Sequence, residues 1–196
     1  GELGYYKLFL PQKYNAESSW PIIYCYHGLN GKPTLFPFSQ LLKGESFIIV
    51  GMGYQKRGIR GYSHLKAKDT EILRGIHKAL KSRLKINDKK IFVGGFSKGA
   101  FYASGFINHL PSFFAGAMIY GGGKNNWATD KKAFINKPIF ISAGDKCPNF
   151  RQVTPTKEYY LELKAKVTSE IMPNTGHSIN FKTTKGKEWL LKQLAK

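Results

Sequence analysis

Seven short runs rich in β-branched and aromatic residues alternate along this chain with stretches of helical period, and few architectures accommodate that order. The strand candidates are Tyr5–Leu10, Ile22–Tyr26, Phe47–Val50, Lys90–Gly94, Gly116–Tyr120, Pro138–Ala143 and Thr168–Met172. Several are apolar throughout, as expected of strands covered on both faces. Between them Ile72, Ile76, Leu80 and Leu84 recur at a spacing of four and mark one helix stripe, with Asp69 or Thr70 as the N-cap. Thr154-Pro155 opens a second helix running to about Ala165, and a last one from about Thr184 carries Trp189, Leu190 and Leu194. Alternation of this kind predicts βαβ units and the α/β class: a mainly parallel sheet with helices on both faces. No linker divides the chain, so residues 1–196 read as a single domain. The segment 123–137 is too short for a cap domain, which leaves open the sheet edge where such folds bind ligands.

Composition narrows the function classes. With 42% hydrophobic and 14% aromatic residues in 196, the chain can bury about 70% of its extended surface and is not intrinsically disordered. Its longest apolar runs are strand-length, so no membrane span is expected. The formal charge of +19 raises the question of a polyanionic partner. The lysines are dispersed, however, from Lys78, Lys81 and Lys85 to Lys182, Lys185 and Lys187. No basic arm or zinc-finger spacing accompanies them, so a solvated basic surface is expected and no nucleic-acid partner. The two cysteines, Cys25 and Cys147, do not make a disulfide framework. The chain starts at Gly1 with no charged-then-apolar leader. A secreted or periplasmic location with the signal removed is favoured over the cytoplasm.

The chemistry concentrates at Gly95-Phe96-Ser97-Lys98-Gly99, a G-x-S-x-G run between a predicted strand and a helix from Ala100 to about His109. A nucleophilic serine placed on a tight turn has its hydroxyl pushed outward, and side chains two residues either way would strike neighbouring backbone. The helix that follows favours developing negative charge at its N-terminus. Five histidines compete to be the base. His77 and His109 fall on helices, and His64 lies in a Gly- and Arg-rich loop. His177, in Pro173-Asn174-Thr175-Gly176-His177-Ser178 after the last strand, is placed to reach back to Ser97. Acyl transfer also needs two N–H donors for the oxyanion. The amides of Lys98, after the nucleophile, and Leu29, in His27-Gly28-Leu29-Asn30-Gly31, fit those places, with the His27 side chain shaping the loop. The loop Tyr54–Tyr62 mixes cations with aromatics at the same edge, which makes His27, Tyr54 and Arg57 candidate substrate contacts.

Together these motifs resemble the α/β-hydrolase superfamily. The chain is similar to its small lid-less esterases, the polyhydroxybutyrate-depolymerase-like, feruloyl-esterase-like and dienelactone-hydrolase-like enzymes. The resemblance runs from His27-Gly28 through Gly95–Gly99 to Gly176-His177, in the order serine, acid, histidine. It implies an α/β-hydrolase fold and a Ser-His-Asp triad forming an acyl-enzyme on a small-molecule or polymer-linked ester. It implies no metal and no organic cofactor. Its strand order would separate Cys25 and Cys147 by two strands, about 14 Å at ~4.8 Å per strand, too far for a disulfide.

The acid is where the sequence departs from that family. The strand ends in Ser142-Ala143-Gly144-Asp145-Lys146-Cys147, and Cys147 occupies the place where the family's aspartate usually stands. Of the twelve acidic residues only Asp130 and Asp145 fall in loops near the right edge. Asp145 is the better candidate; Asp130, or no acid at all, are the alternatives. Two rival functions stay open: a peptidase or lactone hydrolase on the same machinery, and a hydrolase-fold protein with a degraded triad that binds polyanions through its charge.

Overall fold

A computed structural model describes residues 6–54 and 67–195. Its centre is a seven-stranded sheet of β1 (Lys7–Phe9), β2 (Trp20–Tyr26), β3 (Ile48–Met52), β4 (Ile86–Phe96), β5 (Gly116–Tyr120), β6 (Pro138–Gly144) and β7 (Lys166–Met172). The spatial order is β1-β3-β2-β4-β5-β6-β7. Among the described residues only β1 runs antiparallel, beside β3, and the other pairings are parallel. The helices are α1 (Phe38–Leu42), α2 (Ala67–Lys81), α3 (Lys98–His109), α4 (Val153–Glu162) and α5 (Gly186–Lys192). Among the described residues, no helix is long and apolar enough to cross a membrane.

Unbroken apolar strands follow from two cores. In β2, Ile22, Tyr24 and Tyr26 face one hydrophobic cluster while Ile23 and Cys25 face the other. Alternate side chains point to opposite faces, so a strand covered on both sides has no polar position to spare. The first cluster takes Leu73, Ile76 and Leu80 from α2, Tyr102 and Phe106 from α3, and Tyr160 from α4. The second takes Phe38 and Leu42 from α1 and Trp189 and Leu190 from α5. The expected α/β architecture with helices on both faces is what the chain adopts.

Boundaries differ in instructive places. Asp69 and Thr70 do not cap α2 but lie inside its first turns, where the Thr70 hydroxyl bonds back to the Ala67 carbonyl at 2.6 Å. Leu84, the last residue of the stripe, lies beyond the helix, although its N–H still bonds the Leu80 carbonyl at 2.8 Å. Pro155 falls within the first turn of α4, where a missing N–H costs nothing. Both cysteines are free: Cys25 lies on β2 and Cys147 in the turn after β6, and β4 and β5 stand between those two strands.

One buried polar link couples α2 to the sheet. The Tyr24 hydroxyl bonds His77 Nδ1 at 2.7 Å, and His77 Nε2 stands 3.8 Å from Asp88. Burial holds the His77 imidazole below its ordinary value of 6.5; Asp88 opposes that shift in part. A histidine depressed by folding takes up its proton sooner when unfolded, so its contribution is intact above 6.5 and is lost as pH falls from there to the folded-state value. Urea midpoints measured from pH 7.5 down to pH 5 are therefore expected to fall more steeply in the wild type than in His77→Gln. Parallel curves would remove His77 from that account.

Candidate active site

The carboxyl ends of β2, β4, β5, β6 and β7 lead into the loops that carry the candidate residues. Ser97 occupies the turn between β4 and α3 at φ 58° and ψ −124°, a left-handed conformation that costs a non-glycine residue about 1–3 kcal/mol. The turn closes because its flanking glycines carry no side chain. A Cβ on Gly99 would stand 1.9 Å from the Tyr26 carbonyl oxygen, and one on Gly95 would stand 2.5 Å from the Gly99 backbone. The Ser97 N–H bonds the Tyr120 carbonyl on β5 at 2.9 Å, and its carbonyl accepts the Ala100 N–H at 2.9 Å, so the strained residue is held from both sides.

His177 meets this serine. Its Nε2 lies 2.8 Å from Ser97 Oγ, close enough to accept the hydroxyl proton. The ring lies against Phe96, with centroids 4.8 Å apart, and its Cε1 would be 3.6 Å from a Cβ on Gly121. Burial holds the imidazole below its ordinary value, so the free ring is neutral at neutral pH and has a lone pair to offer.

On the far side of the ring the structure places Cys147, whose Sγ lies 3.0 Å from Nδ1. Asp145, the residue expected there, is engaged elsewhere. Its carboxylate accepts the N–H groups of Asn174 at 2.9 Å and Thr175 at 3.0 Å, on the loop that carries His177. Those backbone bonds, the Asn174 N–H foremost, hold its pKa below the usual aspartate value. The Asp145 N–H bonds the Met172 carbonyl and the Lys146 N–H that of Thr175, so the two loops are laced together before any side chain reaches the imidazole. The reason is reach: Asp145, two residues short of Cys147, is beside the backbone of the histidine loop rather than beside its ring. Asp130 lies apart from the site, accepting the N–H groups of Lys132 at 2.9 Å and Ala133 at 3.4 Å.

The glycine loop after β2 comes close to the serine: a Cβ on Gly28 would be 3.7 Å from Ser97 Cβ. The Gly28 carbonyl accepts from His27 Nδ1 at 2.8 Å, from the Tyr54 hydroxyl at 2.8 Å and from the Gly31 N–H at 3.2 Å. A carbonyl cannot donate, so His27 carries its proton on Nδ1. Burial keeps that imidazole below its ordinary value, against the opposing pull of the Gly28 bond, with Lys98 adding to the depression. The His27 and Tyr54 rings stack at 4.1 Å, Tyr54 stacks on Tyr102 at 4.2 Å, and the Lys98 ammonium lies 5.3 Å over the Tyr54 ring. In a trans peptide the N–H opposes the C=O, so the Leu29 N–H points away from this cluster. The Lys98 N–H is the first of α3 and has no intrahelical acceptor.

His27 and Tyr54, expected as substrate contacts, are thus engaged with the loop backbone, and Arg57 lies outside the described residues. Two features escaped the residue pattern. The Tyr54 hydroxyl on Gly28 depends on a contact between loops 26 positions apart, which no periodicity announces. The contact between Cys147 and His177 had a signal, the displaced acid, but a thiol in that place has no established reading from residue type alone.

Comparisons with known proteins bear on the fold and the family. No curated protein matches the sequence. Among solved structures, the Bacillus cereus carboxylesterase superposes with a TM-score of 0.72 at 20% identity, covering 95% of this chain and 93% of that one. Arabidopsis thaliana SOBER1 gives 0.71 at 16% identity, covering 90% of this chain and all of the other. A thermostable esterase gives 0.70 at 16% identity over 95% of this chain, which spans only 58% of that protein. At such identities the likeness establishes the α/β-hydrolase fold. The dienelactone hydrolase family model reaches further, matching residues 6–189 in one continuous stretch that includes the glycine loop, the serine turn and the histidine loop. By that match the chain belongs to the dienelactone hydrolase family.

Proposed function

We propose that this hydrolase cleaves carboxylic esters through Ser97 and an acyl-enzyme intermediate. The reading rests on one observation, the 2.8 Å separation between Ser97 Oγ and His177 Nε2 on a strained turn. Ser97 Oγ attacks the ester carbonyl carbon while His177 Nε2 takes its proton. The carbonyl oxygen becomes an oxyanion held by the N–H groups of Leu29 and Lys98. His177 then returns the proton to the departing alkoxide, and the alcohol leaves. A water molecule, deprotonated by the same nitrogen, attacks the acyl-enzyme carbonyl, and collapse of the second oxyanion frees the acid and restores Ser97. Asp145 serves this sequence by fixing the backbone of the histidine loop. Small-molecule or polymer-linked esters are the substrate class, since no cap domain closes over the serine among the described residues. Nothing specific favours a polyanion-binding role: a hydroxyl and an imidazole in register are not needed to hold a polyanion. Turnover of matched ester, lactone and amide substrates separates esterase, lactone hydrolase and peptidase.

A fluorophosphonate probe is expected to label the protein, with the adduct mapping to Ser97 by peptide mass spectrometry. Short p-nitrophenyl esters are expected to turn over and to protect against labelling. A protein that is neither labelled nor active on those esters would overturn the proposal.

A further inference from the structure

We infer that Cys147 is the positioning residue for His177 and that, being a thiol, it leaves the imidazole a choice of tautomer that a carboxylate would remove. The inference rests on the ester-hydrolase reading and concerns the side of the ring that the reaction never touches.

A base at Nε2 must present a lone pair to the Ser97 hydroxyl, so Nδ1 must carry the ring proton. In a histidine the tautomer is set by whatever the other nitrogen bonds. A carboxylate can only accept, so it enforces the N–H on Nδ1. A thiol does either. With Cys147 Sγ accepting from Nδ1–H, Nε2 is free to take the serine proton. With Cys147 S–H donating to Nδ1, the ring proton moves to Nε2, faces Ser97 Oγ across the same 2.8 Å, and blocks proton transfer. Both arrangements satisfy the same heavy-atom positions, so packing cannot choose between them.

Those positions are firmly held. Cys147 is buried, 5% exposed. Its N–H bonds the Gly144 carbonyl at 3.1 Å and its carbonyl accepts the Phe150 N–H at 2.8 Å. The histidine loop is tied to the same turn through Asp145 and Lys146. No carboxylate reaches Nδ1 among the described residues, Asp145 being committed to Asn174 and Thr175. Cys147 therefore orients the ring as the usual acid would, without restricting it to the productive tautomer. Where a serine-protease triad is forced into the wrong tautomer, turnover falls about 10⁴-fold. A population divided between the two loses only the unproductive fraction, and a neutral thiol also lends the imidazolium less support than an anion.

The test is Cys147→Asp beside Cys147→Ala. The aspartate variant is expected to raise kcat about tenfold or more with KM unchanged, and the alanine variant to lower kcat below wild type. In ¹⁵N-histidine NMR, with His177→Gln to identify the resonances, the wild-type ring is expected to show both tautomers in exchange and Cys147→Asp only the Nδ1–H form. A folded Cys147→Asp whose kcat does not exceed wild type would overturn the inference, as would a wild-type ring already wholly in the Nδ1–H form. The second outcome decides the matter even if the aspartate variant fails to fold. Failure of the ester-hydrolase reading itself looks different: Ser97 unlabelled by fluorophosphonate and wild type inactive, whatever tautomers the ring spectrum shows.

Discussion

Alanine in place of Ser97 is expected to lower kcat for ester hydrolysis by about 10⁴-fold or more, because the proposed nucleophile and the group that accepts from it act as one unit. Fluorophosphonate labelling will disappear with it. The fold will not change, since the substitution leaves the backbone and its bonds to Tyr120 and Ala100 as they are. Glycine at this position separates chemistry from strain. At φ 58° and ψ −124° a Cβ is in conflict with its own backbone, and the conflict persists in serine and alanine but vanishes in glycine. Ser97→Gly is therefore expected to be as inactive as Ser97→Ala and more stable than it, by about 1 kcal/mol after allowing for the greater freedom glycine gives the unfolded chain. Urea unfolding of the two variants, read beside their kcat values, makes the comparison. If the glycine variant is the less stable of the two, the turn stores no strain and the serine is not held in place at a cost.

The serine turn was readable because its constraint is local. Strand, glycine, serine, glycine and helix follow one another without interruption, and the overlaps that exclude side chains at 95 and 99 arise within that turn and against the adjacent strand β2. Parallel strands were readable for a related reason: burial on both faces leaves a run such as Ile22–Tyr26 no polar residue. His177 could be inferred from its place between the last strand and the last helix. Short elements left less trace. The five residues of α1 span barely more than one turn, too few for a period to register. The start of β4 reads as polar, Asn87-Asp88-Lys89, because only Ile86 there pairs with a neighbouring strand, at Trp20. The partner of His177 Nδ1 was the hardest to read. Eliminating acids one by one finds a carboxylate in the right loop, but the loop's own backbone claims Asp145 first. Backbone donors carry no sequence signature, so only coordinates reveal that competition.

The glycine loop carries the second large effect. Its function in the proposed reaction depends on which way one peptide faces, and that peptide has little intrinsic preference: Gly28 has no Cβ, and Asn30 is already at φ 57°. The orientation is set from outside, by the His27 ring, the Tyr54 hydroxyl and the Gly31 N–H converging on the Gly28 carbonyl. Turning that carbonyl toward Ser97 would break three hydrogen bonds and withdraw the Leu29 N–H from the oxyanion. Tyr54→Phe and His27→Phe each keep a ring in the stack with Tyr102 and each delete one donor, leaving a second strong bond in place, so either alone is expected to cost a few-fold in kcat. The double variant leaves only the Gly31 contact at 3.2 Å and is expected to lose about 10²–10³-fold, the range found when an oxyanion donor is removed. The split between constants decides what these residues do. An amide that matters only once negative charge develops lowers kcat and leaves KM alone, whereas residues that grip the substrate raise KM. A double variant whose KM rises with kcat preserved would return His27 and Tyr54 to the role of substrate contacts. One within about threefold of wild type in both constants would show that the Gly28–Leu29 peptide keeps its direction without them.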